Sequence, residues 1–123
     1  MALSVGDRVL DVGCGTGLNF SLVQEAIGSK GSITGVDRST SMLAQARNRA
    51  SKRGWRNVDL MNADATSLRV DDFARDGQQF DAALATYSLS LMEQWRSAWD
   101  LMKRLVRPGG RIAVVDLGSP TGR

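Results

Sequence analysis

Residues 8–20 read Arg-Val-Leu-Asp-Val-Gly-Cys-Gly-Thr-Gly-Leu-Asn-Phe, and they constrain the fold more than any other stretch. An apolar run (Val9, Leu10, Val12) stops at Gly13, Gly15 and Gly17. Leu18, Leu22, Val23, Ala26 and Ile27 then recur at helical steps, which predicts a helix over residues 17–27. Strand, glycine turn and helix in this order build a ligand site at the carboxyl end of a parallel strand. Glycine suits such a turn because it accepts positive φ and lets backbone approach a ligand with no Cβ in the way. The amides opening the helix are expected to be unpaired donors, suited to a carboxylate or phosphate.

The glycine spacing separates two readings. A dinucleotide fingerprint, Gly-x-Gly-x-x-Gly, wants a small residue at position 18. Here position 18 is Leu18, and the third glycine comes one residue early, at Gly17. Asp11 stands two residues before Gly13, inside the end of the strand. The string Leu10-Asp11-Val12-Gly13-Cys14-Gly15-Thr16-Gly17 resembles motif I of the class I S-adenosylmethionine (SAM) dependent methyltransferases. That resemblance implies a Rossmann-like doubly wound α/β fold with parallel strand order 3-2-1-4-5. It also implies SAM as cofactor, S-adenosylhomocysteine as product, and no metal.

Bulk properties narrow the chemistry. The 123 residues are read as a single domain, 1–123, of ordinary composition, with 42% hydrophobic and 24% charged residues. No apolar run reaches membrane-spanning length, and no stretch reads as a signal peptide. One cysteine excludes a disulfide framework and makes a cytoplasmic setting the default expectation. Cys14 reads as a small residue fitting a tight turn. The absence of histidine removes Ser-His-Asp and Cys-His catalysis and histidine metal sites. The net charge of +3 is uneven: residues 1–56 hold eight basic and four acidic side chains, residues 57–123 eight and nine.

Further along, residues 32–37 (Ser-Ile-Thr-Gly-Val-Asp) form a second strand ending in an acid twenty residues after Gly17. A carboxylate there can accept both hydrogen bonds of a ribose diol, and the resemblance gives Asp37 that role, with Arg38 beside it. A helix over residues 41–53 turns Met42, Leu43, Ala46 and Ala50 to the sheet and stops at Gly54. Its cations (Arg47, Arg49, Lys52, Arg53, then Arg56) read as a solvated face. A nucleic-acid patch is disfavoured, because only Trp55 could stack on a base.

Residues 57–62 form a third strand, after which Asp64 and Ala65 match the family's adenine-contacting pair. Residues 80–86 form the fourth, ending at Thr86, which the resemblance places beside the cofactor. Tyr87 and Ser88 follow, as groups that could orient an acceptor or take its proton. The Asn/Asp-Pro-Pro-Tyr/Phe motif of amino-methylating relatives is absent at this point, as is the cysteine of RNA 5-methylcytosine enzymes. Residues 91–106 are an amphipathic helix (Leu91, Trp95, Trp99, Met102, Leu105, Val106), and Arg107-Pro108-Gly109-Gly110 turns the chain into a fifth strand over 111–117. That turn also resembles the family.

The leading expectation is a SAM-dependent methyltransferase, or its SAM-binding core, acting on a small-molecule acceptor of quinone- or lipid-like type. The usual C-terminal antiparallel strands 6 and 7 are not part of this sequence. The apolar 111–117 strand would therefore be an open edge, expected to be covered by a second copy or a separate partner. The alternative is a catalytically inactive SAM-binding or partner-binding module. A nicotinamide-dependent oxidoreductase is disfavoured by Leu18.

Overall fold

A computed structural model describes residues 2–64, 79–87 and 92–116. The elements run β1 (Arg8–Val12), α1 (Phe20–Ile27), β2 (Ser32–Asp37), α2 (Thr40–Arg53), β3 (Val58–Asn62), β4 (Phe80–Tyr87), α3 (Met92–Leu105) and β5 (Val106–Asp116). All the strand pairs are parallel, in the order β3-β2-β1-β4-β5. The expected Rossmann-like arrangement is present.

Alternation along β1 divides the core between the two faces of the sheet. Leu10 and Val12 pack on one face with Met102, Leu105 and Val106. Val9 packs on the other with Phe20, Val23 and Ile27 of α1 and with Leu43 and Ala46 of α2. β1 is thus covered on both sides, which explains apolar residues on both of its faces (Val9, Leu10 and Val12), with Asp11 the buried exception.

Several boundaries differ from the sequence reading. α1 begins at Phe20, not at residue 17, because Gly17 has a left-handed φ of +81° and cannot lie within a helix. Its buried stripe is Phe20, Val23 and Ile27, while Leu18 and Leu22 are 72% and 70% exposed. Met42 is likewise exposed, because the inward stripe of α2 is Leu43, Ala46 and Ala50 and Met42 stands a helical step to its side. α2 starts at Thr40, with the Ser39 hydroxyl accepting from the Met42 amide as its N-cap.

The largest departure is at β5. Residue 106 was expected to close the last helix, yet Val106 already pairs with Phe80, and Ala82 pairs with Arg111. The segment 107–110 is therefore an excursion within the strand, opposite Asp81, rather than a turn ahead of it. Asp81 makes the excursion possible: its two carboxylate oxygens accept from the Arg8 amide and from Arg107 Nε, each at 2.8 Å. Burial alone would raise this carboxyl, but the Arg8 amide and the Arg107 guanidinium outweigh it and hold it below its usual range. Gly110 closes the excursion, and a Cβ there would stand 2.5 Å from the Asp81 carbonyl oxygen and collide with Val106 Cγ1.

We expect Gly110→Ala to lower stability by about 1–3 kcal/mol, read as a lower urea midpoint at unchanged slope. An unchanged midpoint would show that the strand does not pass this close to β4.

Candidate functional site

The carboxyl ends of β1 and β2 converge on the glycine turn, and the end of β2 holds it in place. The amides of Gly13 and Cys14 both donate to the Val36 carbonyl, at 2.7 and 3.0 Å. The Gly15 amide donates to Asp37 Oδ2 at 2.8 Å, while Asp37 Oδ1 accepts from the Ser39 amide at 2.9 Å. Gly17 donates to the Cys14 carbonyl and Phe20 to that of Gly17, closing the turn on itself. Gly13, Gly15 and Gly17 all have positive φ, which only glycine adopts without strain.

The expectation of open amides holds in part: Gly13, Cys14 and Gly15 donate to β2 and Gly17 and Phe20 within the turn, while the amides of Thr16, Leu18, Ser21 and Leu22 have no hydrogen-bond partner among the described residues. The physical reason is the late start of α1: what was read as a first helical turn is a chain of tight turns with their own hydrogen bonds.

Beneath the turn lies Asp11, fully buried, its two oxygens without a hydrogen-bond partner among the described residues. Register sets it between Gly35 of β2 and Leu84 of β4. Burial pushes its carboxyl up to about 8, and the nearby charge of Asp37 adds to the shift. Cys14 is also buried, and burial with the charges of Asp11 and Asp37 raises its thiol to about 12. A thiol held protonated in this way is no nucleophile.

Gly35 went unnoticed in the sequence. A Cβ there would lie 2.9 Å from Cys14 Sγ and 3.1 Å from Phe20 Cζ, so its bare backbone makes room for the residues under the turn. A glycine interior to a strand is itself a signal of close approach.

The remaining predicted residues distribute as follows. Arg38 is exposed, directly after Asp37. Asp64 is exposed, just beyond the end of β3 and next to Ala63, whose amide donates to the Asp37 carbonyl at 3.1 Å. Thr86 and Tyr87 are the last residues of β4, paired with Val115 and Asp116. Ala65 and Ser88 lie outside the described residues. Asp11, the glycines, Asp37, Arg38, Asp64 and Thr86 thus share the carboxyl edge of the sheet, where parallel α/β folds bind ligands. A cavity of about 440 Å³ lies at the opposite edge, lined by Gln24, Gly28, Ser29, Trp55, Arg56 and Asn57 among others. It is far from these groups, and the Asn57 amide there is engaged by the carbonyls of Gly28 and Gly31.

Comparison with known proteins settles the family. Residues 9–110 match the methyltransferase domain family. This chain belongs to that family. It is 32% identical over 121 residues to a demethylmenaquinone methyltransferase of Staphylococcus epidermidis, covering 98% of this chain and 47% of that protein. It is 35% identical over 120 residues to a 2-phytyl-1,4-naphtoquinone methyltransferase of Synechococcus elongatus, covering 97% and 49%. The crystal structure of the [4+2]-cyclase SpnF superposes with a TM-score of 0.74 at 36% identity, covering 91% of this chain and 39% of that one. The chain spans about half the length of the curated relatives it matches.

Asp11 gives a pH signature. A carboxyl raised from about 3.9 in the unfolded chain to about 8 in the fold binds its proton more tightly when folded. Its contribution is full below the unfolded value and is lost as pH rises toward the folded one. Without histidine, no other side chain has an ordinary value between about pH 5 and pH 8. We expect stability to fall between about pH 5 and pH 8 by at most about 1.4 kcal/mol per pH unit, and the slope to vanish in Asp11→Asn. A wild-type urea midpoint flat across this range would contradict a neutral Asp11.

Proposed function

We propose that residues 1–123 form a single SAM-binding domain that transfers a methyl group to a quinone-like small molecule. The observation that carries this reading is the glycine turn locked to Asp37 over an unpartnered, buried Asp11. The residues present suit such a ligand. An ionised carboxylate offers about four acceptor positions, and Asp37 spends two on the Gly15 and Ser39 amides, leaving two for a ribose diol. Asp11, protonated in the free protein, would support the amino-acid end of the ligand from under the turn. Gly13, Gly15 and Gly17 keep side chains out of its path. Asp64 with Ala65 would take the adenine, and Arg38 and Thr86 would flank the site.

SAM, when bound, would supply a methyl group on a sulfonium, which an electron pair of the acceptor's nucleophilic atom takes by in-line displacement as the S–CH3 bond breaks, leaving S-adenosylhomocysteine and releasing a proton from the acceptor. Such a transfer needs positioning and exclusion of water more than a protein nucleophile. That fits a site whose one thiol is held protonated. The chain's own contribution is to hold the turn rigid and to present an acceptor at the end of β4, where Tyr87 and Ser88 would orient it or accept its proton. The names of the two quinone methyltransferases support the acceptor class.

A second reading is ligand binding without methyl transfer, favoured by the 36% identity to a protein described as a [4+2]-cyclase. The cyclase shares this fold without methyl transfer in its name, so the fold alone does not prescribe the reaction.

We also propose that a second copy covers the β5 edge, which pairs only with β4 among the described residues. A buried, unreactive lone cysteine is consistent with a reducing, cytoplasmic setting. Light scattering should give twice the monomer mass; a monomer at high concentration would refute the second copy.

Calorimetric titration with SAM should show roughly micromolar binding, about −8 kcal/mol, weakened at least about tenfold in Asp37→Ala. Methylation of a demethylated naphthoquinol in the same preparation would support the first reading. Binding with no methylated product would favour the second, and no binding by the folded chain would defeat both.

A further inference from the structure

Arg49 lies in the basic run of α2, and it differs from its neighbours. Arg47, Lys52, Arg53 and Arg56 are exposed, whereas Arg49 is partly buried. Its Nε donates to the Thr16 carbonyl at 3.0 Å, bridging 33 residues from the helix to the apex of the glycine turn. Arg53 instead faces the Trp55 ring at 5.7 Å. Among the described residues Arg49 is the one cation of this run that reaches the candidate site.

The peptide it holds has glycine on one side. It pivots on ψ of Thr16 and φ of Gly17, and Gly17 (φ +81°) has no side chain to oppose the rotation. The Thr16–Gly17 peptide is fastened at both ends: its N–H to the Cys14 carbonyl and its oxygen to Arg49. Released from Arg49, the plane could rotate and swing a carbonyl toward the ligand face, where a ligand carboxylate would meet the negative end of a dipole. Held, it turns that oxygen toward α2 and leaves the neighbouring Thr16 and Leu18 amides available. A guanidinium bond to a carbonyl is charge-assisted and stronger than a neutral one, so it is suited to fixing one of two peptide orientations.

We propose that Arg49 is a positioning residue for the cofactor site, setting the orientation of the Thr16–Gly17 peptide from the back of the turn. The proposal rests on the SAM-binding reading above and adds to it a residue that touches neither cofactor nor acceptor. It also gives the basic run a role at one position, without calling on nucleic acid.

The test compares Arg49→Met, which removes every donor, Arg49→Lys, which keeps the charge, and Lys52→Met, which removes an exposed charge from the same helix. Each is titrated with S-adenosylhomocysteine and melted without ligand. The Met variant at position 49 should bind about tenfold more weakly with little change in melting temperature, because a carbonyl freed at the surface can bond to water. The Lys variant should recover part of the loss, and Lys52→Met should bind as wild type. In the free protein, amide exchange at Gly17 should quicken in Arg49→Met alone, a readout that needs no ligand. Arg49→Met binding within about twofold of wild type, or Lys52→Met losing as much, overturns the proposal and leaves the SAM reading intact. Unchanged exchange at Gly17 overturns it too. Failure of the wild-type chain to bind overturns the SAM reading itself, and this inference with it.

Discussion

The end of β2 reaches across to the end of β1 and holds three consecutive amides. The Val36 carbonyl takes two of them and the Asp37 carboxylate the third. Every other feature of the site depends on that grip. It sets the late start of α1, because the chain must finish its tight turns before a helix can begin. It places Cys14 and Phe20 beneath the turn, against the space that Gly35 leaves. Asp11 lies buried in the strand just before the turn, its oxygens without a hydrogen-bond partner among the described residues. The Asp37 carboxylate thus ties the turn to the start of α2 with about half of its acceptor capacity.

The arrangement costs stability in the free protein. A buried carboxyl without a hydrogen bond is unfavourable ionised or neutral, and burial shifts it toward the neutral form. Positive-φ backbone at three glycines adds the entropy lost in ordering residues that are flexible when unfolded. Proteins keep such groups where function needs them, and their concentration at one strand end points to a ligand site. The opposite edge follows different rules. There Asp81 and Asn57 are engaged by neighbouring side chains and backbone.

Much of this was legible in the residues. The strand–turn–helix unit and the acid at the end of the second strand follow from local patterns of apolar runs, glycines and spacing, whereas the parallel order came with the family resemblance. Two local signals misled. Leu18 and Leu22 lie four residues apart and imitate a buried stripe, though both face outward. Pro108-Gly109-Gly110 looks like a turn outside the sheet, while Val106 has already entered it. What local pattern could not show is pairing at long range. Asp81 meets Arg8 and Arg107, and Arg49 meets Thr16, only because the sheet and the α1–α2 layer bring distant segments together. Gly35 was different: its position inside a strand was a readable sign of close packing.

If the locked glycine turn and the carboxyl ends of β1 and β2 form the cofactor site, backbone amide shifts recorded while S-adenosylhomocysteine is added will reveal it. Large changes are expected at residues 13–18, 37–39, 64–65 and 86, with Gly28, Trp55 and Asn57 at the opposite edge unmoved. Changes centred on that opposite edge, or none at the glycine turn, would contradict it.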